Sequence, residues 1–325
     1  MSTSEHNDSA GCCAPQRDGP GLDDPHTAPR STERADVGLH DDDFVDISGG
    51  TFIMGTDEPY RYQGDGEGPA REVTLGDYRI ARNSVTNAQF ADFVEATDHR
   101  TEAERYGWSF VFHLFLPDDF PDTRAVASTP WWRQVYGADW AHPAGPQSNL
   151  EGLSDHPATH ISWSDAAAYC VWAGVRLPTE AEWEMAARGG LVQKPFVWGD
   201  EFRPDGQIMC NIFDGTFPTE NIAEDGYVGT SPSAAFPANG FGLHDMAGNV
   251  WEWCNDWFHT TFHVDGPRVD PQGPPSGEAK VMRGGSYLCH DSYCHRYRVA
   301  ARSSNTMDSS AGNLGFRVAA SSRHT

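Results

Sequence analysis

Lysine is almost missing from this chain. Only Lys194 and Lys280 are lysine, and the other 21 of the 23 basic residues are arginine, so positive charge sits on rigid planar forks suited to carboxylates and carbonyls. Such forks read as staples for loops. Basic charge is scarce altogether: 47 acidic residues give a net charge of −24 over 325 residues, which argues against nucleic acid and anionic membrane surfaces as partners. A cationic partner is favoured. Long apolar runs are also lacking; the longest, residues 166–175, is about half the 18 to 20 residues that span a bilayer. The first residues have neither a basic nor an apolar signal region, and the reading is a cytoplasmic protein. Seven cysteines in that setting do not suggest a disulfide framework.

Aromatic residues, by contrast, reach 12% with 11 tryptophans, alongside 33 glycines and 22 prolines. That composition suits a loop-rich protein whose irregular segments are pinned by large side chains. Residues 1–43 hold ten acidic and three basic residues and few large apolar ones. They read as a disordered acidic leader, in which Cys12 and Cys13 have no assigned role. From Phe44, FVDISGGTFIMGT reads as a strand pair about a Gly-Gly turn. Three helices carry cap signatures: Thr86 before Phe90, Phe93 and Val94; Ser162 with Asp165, ending at Gly174; and Thr179 with Glu182, ending at Gly189-Gly190. REVTL, KVMRGGSY, RYRVAAR and GFRVAA read as short strands. The expectation is one α+β domain over residues 44–325 with much irregular structure.

Most cysteines read as packing: Cys170 lies inside a capped apolar helix, and Cys210 and Cys254 are isolated. His259 and His263 have a metal-like spacing but loop-like flanks. Cys289 and Cys294 differ, because each is followed by histidine and arginines stand close behind, and cationic neighbours raise the thiolate fraction. Spacing alone leaves a disulfide or buried thiol pair, a redox dithiol and a soft-metal site all open, while zinc lacks a second ligand pair.

The segment GGSYLCHDSYCHRYRVAARSSNTMDSSAGNLGFRVAA strongly resembles the carboxy-terminal signature of formylglycine-generating enzymes, the sulfatase-modifying oxidases. GGTFIMGTDEPYRYQGDGEGPAREVTL, STPWWRQVYGADWAHPAGP, HISWSDAAAYCVWAGVRLPTEAEWEMAARGG and NGFGLHDMAGNVWEWCNDW look like further family segments in family order, so the likeness spans roughly residues 44–320. It implies a C-type-lectin-like fold and conversion of the cysteine in a Cys-x-Pro-x-Arg motif of an unfolded sulfatase to Cα-formylglycine, with O2 and a thiol reductant. It further implies that Cys289 and Cys294 hold Cu(I), which the substrate cysteine joins as a third sulfur; soft thiolates suit that ion. Cys294 matches the cysteine that pairs with substrate. Ser286 and Trp251 match the lining of an oxygen pocket, Tyr293 a tyrosine beside the copper, and Arg302 and Asn313 substrate-groove residues.

Structural Ca2+ is also implied. Asn211, Ile212, Asp225 and Tyr227 match one ion's ligands, and Asp245, Gly248, Val250 and Glu252 another's. Secretory-pathway relatives pair cysteines at the positions of Cys170 with Ala187 and of Val299 with Val318; three of these four are not cysteine here, consistent with a reducing cytoplasm. Two other classes stay in view: an iron-dependent sulfoxide synthase-like oxidase, for which His259-x3-His263-x-Asp265 is the nearest match, and a non-enzymatic ligand-binding module of the same fold.

Overall fold

Helices form where the caps require them. In a computed structural model, which describes residues 14–17 and 39–323, Thr86, Ser162 and Thr179 each accept a hydrogen bond from the third helical N–H of Asn87–Thr97, Trp163–Ala173 and Glu180–Arg188. Each box is closed by the side chain of Gln89, Asp165 or Glu182, so the cap N–H and the third helical N–H are both satisfied locally. Gly174 and Gly189 end the last two helices at φ 66° and 56°. A five-residue helix, Glu102–Tyr106, is capped by Thr101 in the same way and was not expected.

Strands obey longer-range rules. Lys280–Arg283 sits between Ser303–Asn305 and Trp251–Trp257, both antiparallel to it, and Leu314–Gly315 joins the far side of Trp251–Trp257 in parallel. The expected pair in FVDISGGTFIMGT does not form. Its two runs are strands, but Phe44–Ile47 pairs with Tyr78–Ala81 and Gly50–Met54 with Arg71–Leu75. Gly49 therefore makes a close approach rather than a hairpin turn: a Cβ there would lie 2.3 Å from the Leu75 carbonyl oxygen. RYRVAAR is likewise not a strand but a run of turns with Arg296 and Arg298 buried.

Within residues 1–43, positions 14–17 and 39–43 are described. Ala14, Pro15 and Arg17 are buried against the domain, and Leu39 packs on the core, which corrects the reading of an unstructured leader at those positions. The remainder of that leader, Cys12 and Cys13 included, lies outside the described residues.

The arginine bias now has a structural meaning. Fully buried Arg283 reaches Glu180 at 2.8 Å and Glu184 at 2.6 Å, while Arg302 holds Glu180 through two further bonds and Arg188 holds Glu184. Arg317 makes a two-pronged contact with buried Glu252, and Arg298 does so with Glu67. Burial pushes the Glu180 carboxyl up, but Arg302 and Arg283 outweigh it and hold it at about 2. Asp256, which accepts from the Glu180 N–H at 2.8 Å, goes the other way: burial, then the Glu180 carboxylate, raise it to about 7. Lys280 is wedged between the rings of Trp163 and Trp257, its Nζ 4.2 and 4.0 Å from their centroids.

Removing one partner of a buried pair costs about 3–5 kcal/mol, whereas an exposed pair contributes about 0–1 kcal/mol. Arg283→Met should therefore lower the unfolding free energy by several kcal/mol in denaturant titrations, and Arg79→Met, whose partner Asp41 is 72% exposed, should leave it nearly unchanged. Asp256 supplies a pH test. Its folded value lies above the ordinary 3.8, so the native state holds the extra proton and stability falls as pH rises through the window from about 4 to 7. Thermal melts should show that loss in the wild type relative to Asp256→Asn; parallel pH profiles would refute it.

Candidate active site

Beyond Arg283 the chain enters a loop through Gly284 and Gly285, at φ 94° and 76°. A Cβ on Gly285 would stand 3.0 Å from the Tyr297 nitrogen, so glycine lets the loop fold back on its own later residues. Two turns follow, closed by Cys289 N–H to Ser286 O and Cys294 N–H to His290 O. They bring the Cys289 and Cys294 sulfurs to 3.3 Å, with both residues only 1% exposed. A disulfide would measure about 2.05 Å, so this is a pair of free thiols. Each can face one soft cation.

Burial, then the Cys294 sulfur, push the Cys289 thiol well above its ordinary range, against the Ser286 N–H and Arg296, which pull it down. The pull of the cationic neighbours seen in the sequence is therefore outweighed at this thiol. Arg296 lies 4.0 Å from the Cys294 sulfur, but its Nε is held by Asp65 at 2.6 Å. Low-dielectric surroundings outweigh a cation already paired elsewhere. A bound metal ion would change the balance, since it displaces the thiol proton.

Four of the other expected residues converge here. Ser286 donates its N–H toward the Cys289 sulfur at 3.4 Å, and Asn313 Nδ2 donates to Ser286 Oγ at 3.0 Å. Trp251 donates its backbone N–H to the Asn313 carbonyl, while its buried indole N–H has no hydrogen-bond partner among the described residues. Tyr293 stacks on Phe217 with centroids 4.5 Å apart and meets Trp131 edge-on at 4.9 Å. Phe217 and Trp131 were not singled out from the sequence, although tandem tryptophans flanked by polar residues were a usable signal. Trp131 also lines an open groove of about 480 Å3 with His113, Phe120, Arg133 and Pro218, so the groove meets the site through the Trp131–Tyr293 contact.

Arg302 has a different task from the one expected. Its fork binds Glu180 and the carbonyls of Asp65, Gly66 and His259, so it staples loops. His259 and His263 also serve the backbone: His259 Nδ1 accepts from the N–H of Thr261 and Phe262, and His263 Nε2 donates to the Gly68 carbonyl. Cys170, Cys210 and Cys254 are buried free thiols, as packing residues should be. Among the described residues no helix is long and apolar enough to cross a membrane.

The two oxygen sets differ. Among the described residues, Asn211 Oδ1 and Asp225 Oδ2 are buried without hydrogen-bond partners, and burial raises the Asp225 carboxyl to about 6. Unmet oxygens of this kind fit a hard cation. In the second set, Glu252 is fully engaged: Ser84 and Arg317 donate to one oxygen, Trp183 and Arg317 to the other. Asp245 accepts from the Ala234 N–H. Glu252 is thus an internal anchor, and the set Asp245, Gly248, Val250 and Glu252 does not fit a calcium site here.

Comparison with known proteins bears on the same constellation. Residues 30–322 match the family model of the sulfatase-modifying factor enzyme 1-like domain. Formylglycine-generating enzymes of Thermomonospora curvata and Mus musculus are 55% and 53% identical over 85% of this chain, covering 92% and 74% of their own lengths. A murine relative named inactive C-alpha-formylglycine-generating enzyme 2 is 44% identical over 85% of both chains. Among solved structures, PvdO from Pseudomonas aeruginosa superposes with a TM-score of 0.61 at 25% identity, covering 86% of this chain and 94% of that one. Treponema denticola variable protein 1 gives 0.56 at 19% identity over 86% and 95%, a likeness of fold alone. The chain belongs to the sulfatase-modifying factor family of formylglycine-generating enzymes.

Proposed function

We propose that this enzyme converts the cysteine of a Cys-x-Pro-x-Arg segment in an unfolded sulfatase to Cα-formylglycine, using O2 and a thiol reductant, with Cu(I) held by Cys289 and Cys294. The observation that carries this reading is the buried thiol pair at 3.3 Å. Family identity alone does not decide activity, because a relative named inactive shares 44% of the sequence. Two soft donors fit Cu(I), which accepts low coordination numbers and favours sulfur. When bound, that ion supplies the one-electron chemistry with O2 that a closed-shell thiol lacks.

The protein's own contribution is placement and dryness. The Ser286 N–H is aimed at the Cys289 sulfur and supports negative charge there, while Asn313 fixes the Ser286 hydroxyl. Phe217, Tyr293 and Trp131 form an aromatic wall that limits water beside the thiol pair. Loss of three cysteines from the secretory-pathway pairs, at Ala187, Val299 and Val318, supports a reducing, cytoplasmic setting.

Titration with a chromophoric chelator should find one Cu(I) per chain. Cys289→Ser and Cys294→Ser should each weaken that affinity by at least ~100-fold, because a ligand itself is lost. Both variants should keep the wild-type circular dichroism and fail to convert a Cys-x-Pro-x-Arg peptide to a hydrazide-reactive aldehyde; turnover in either would remove the mechanism. Calcium is the structural counterpart, with Asn211 and Asp225 as side-chain ligands and Ile212 and Tyr227 as carbonyl ligands. At a concentration 100 times its dissociation constant it should stabilise the wild type by about 2.7 kcal/mol. Asp225→Ala should gain nothing from added calcium in the same melts.

A further inference from the structure

The buried residues 14–17 lie outside the family match, which begins at residue 30. In sequence they complete Cys13-Ala14-Pro15-Gln16-Arg17. Of the seven cysteines, Cys13 is the one with proline two positions on and arginine four positions on. The motif proposed for the substrate is thus written once in the enzyme's own chain, and the part of it described here is seated on the enzyme.

The seat has the chemistry of a peptide site. Arg17 is 7% exposed, with its guanidinium carbon 4.2 Å from the Tyr106 ring centroid and 4.0 Å from that of Trp108. Its Nη2 donates to the Trp108 carbonyl at 2.8 Å and Ser310 Oγ at 2.7 Å, its Nε to the Asp308 carbonyl at 3.0 Å, and its backbone N–H to Ser309 Oγ at 2.9 Å. Asn305 Nδ2 donates to the carbonyls of Ala14 and Pro15. An aromatic clamp for a cation and an amide gripping two successive carbonyls is how an extended chain is read. The clamp also adjoins the chemistry. Three residues past Ser310 comes Asn313, which holds Ser286 beside Cys289, and Ala14 belongs to the same contiguous apolar cluster as both thiols.

We propose that residues 14–17 are an intramolecular occupant of the substrate groove: the clamp of Tyr106, Trp108, Asn305, Asp308, Ser309 and Ser310 is the subsite for the proline and arginine of a substrate, and the chain's own segment holds it until a peptide in trans displaces it. This rests on the Cys-x-Pro-x-Arg reading above. Among the described residues no carboxylate makes a hydrogen bond to the Arg17 guanidinium, which is held by rings, carbonyls and a serine hydroxyl, a set that another arginine could occupy in its place. A segment tethered nearby acts at an effective concentration of roughly a millimolar. Even weak internal binding then competes with substrate.

The test uses the full chain and an unreactive peptide carrying Ser-x-Pro-x-Arg. Calorimetric titration should show Arg17→Ala binding it at least ~3-fold more tightly than wild type, with KM for the cysteine peptide lowered by a similar factor and kcat unchanged. Hydrogen exchange on the unmutated chain gives a second readout: saturating peptide should deprotect the Arg17 amide, which is held by Ser309 in its absence. Equal affinity of both chains, or an Arg17 amide unmoved by saturating peptide, would overturn the proposal while leaving the substrate reading intact. Failure of both chains to bind or convert any such peptide would instead sink the substrate reading, and this proposal with it.

Discussion

One carboxylate decides the geometry of the site. Glu180, at the first turn of the helix Glu180–Arg188, accepts from Arg283 and from Arg302 on the same oxygen. Those arginines stand at the two ends of the irregular stretch that contains Ser286, Cys289, Tyr293 and Cys294. The neck of the loop is therefore closed on one buried anion, and its middle is held by Arg296 on Asp65 and Arg298 on Glu67. A stretch with almost no ladder hydrogen bonds of its own acquires rigidity from forks whose planes allow only one docking direction. Lysine could supply the charge at these positions but not the direction.

Desolvation works twice in this arrangement. Around Glu180 the cations are close enough to outweigh it and the carboxyl stays ionised; around Cys289 the nearest cation is already paired and the thiol stays protonated. The same burial thus gives an ionised anchor at Glu180 and a raised Cys289 thiol within one domain. Ion pairs arranged this deeply contribute little net stability compared with apolar packing, and their removal one partner at a time is severe. What they add is a single conformation for a loop that the backbone alone would leave undetermined.

How much of this was legible in the sequence depended on range. The capped helices were readable because Thr179 and Glu182, or Ser162 and Asp165, bond within a single turn. The arginine staples were readable as a type from the near absence of lysine, though not as particular pairs. Strand partners were not, since nothing in FVDISGG encodes that Val45 faces Ile80 rather than a residue of the next run. The dithiol was visible through spacing and family likeness. The work of Arg302 and Glu252 was hidden, because their partners lie 122 and 65 residues away. Residues 14–17 were hidden for the opposite reason: their composition cannot support a fold alone, and only a groove made elsewhere gives them a place.

Lys280 lies with its ammonium caged by Trp163 and Trp257 and donating to the Asn255 carbonyl at 2.7 Å. With so few lysines in the chain, that cage leaves Lys194 as the lysine amine on the described surface, 39% exposed beside Asp200. Acylating reagents of the kind used for labelling or surface coupling then meet a protein with nearly a single lysine address. Coupled there, the molecules share one orientation, set by which cations the fold chose to keep inside.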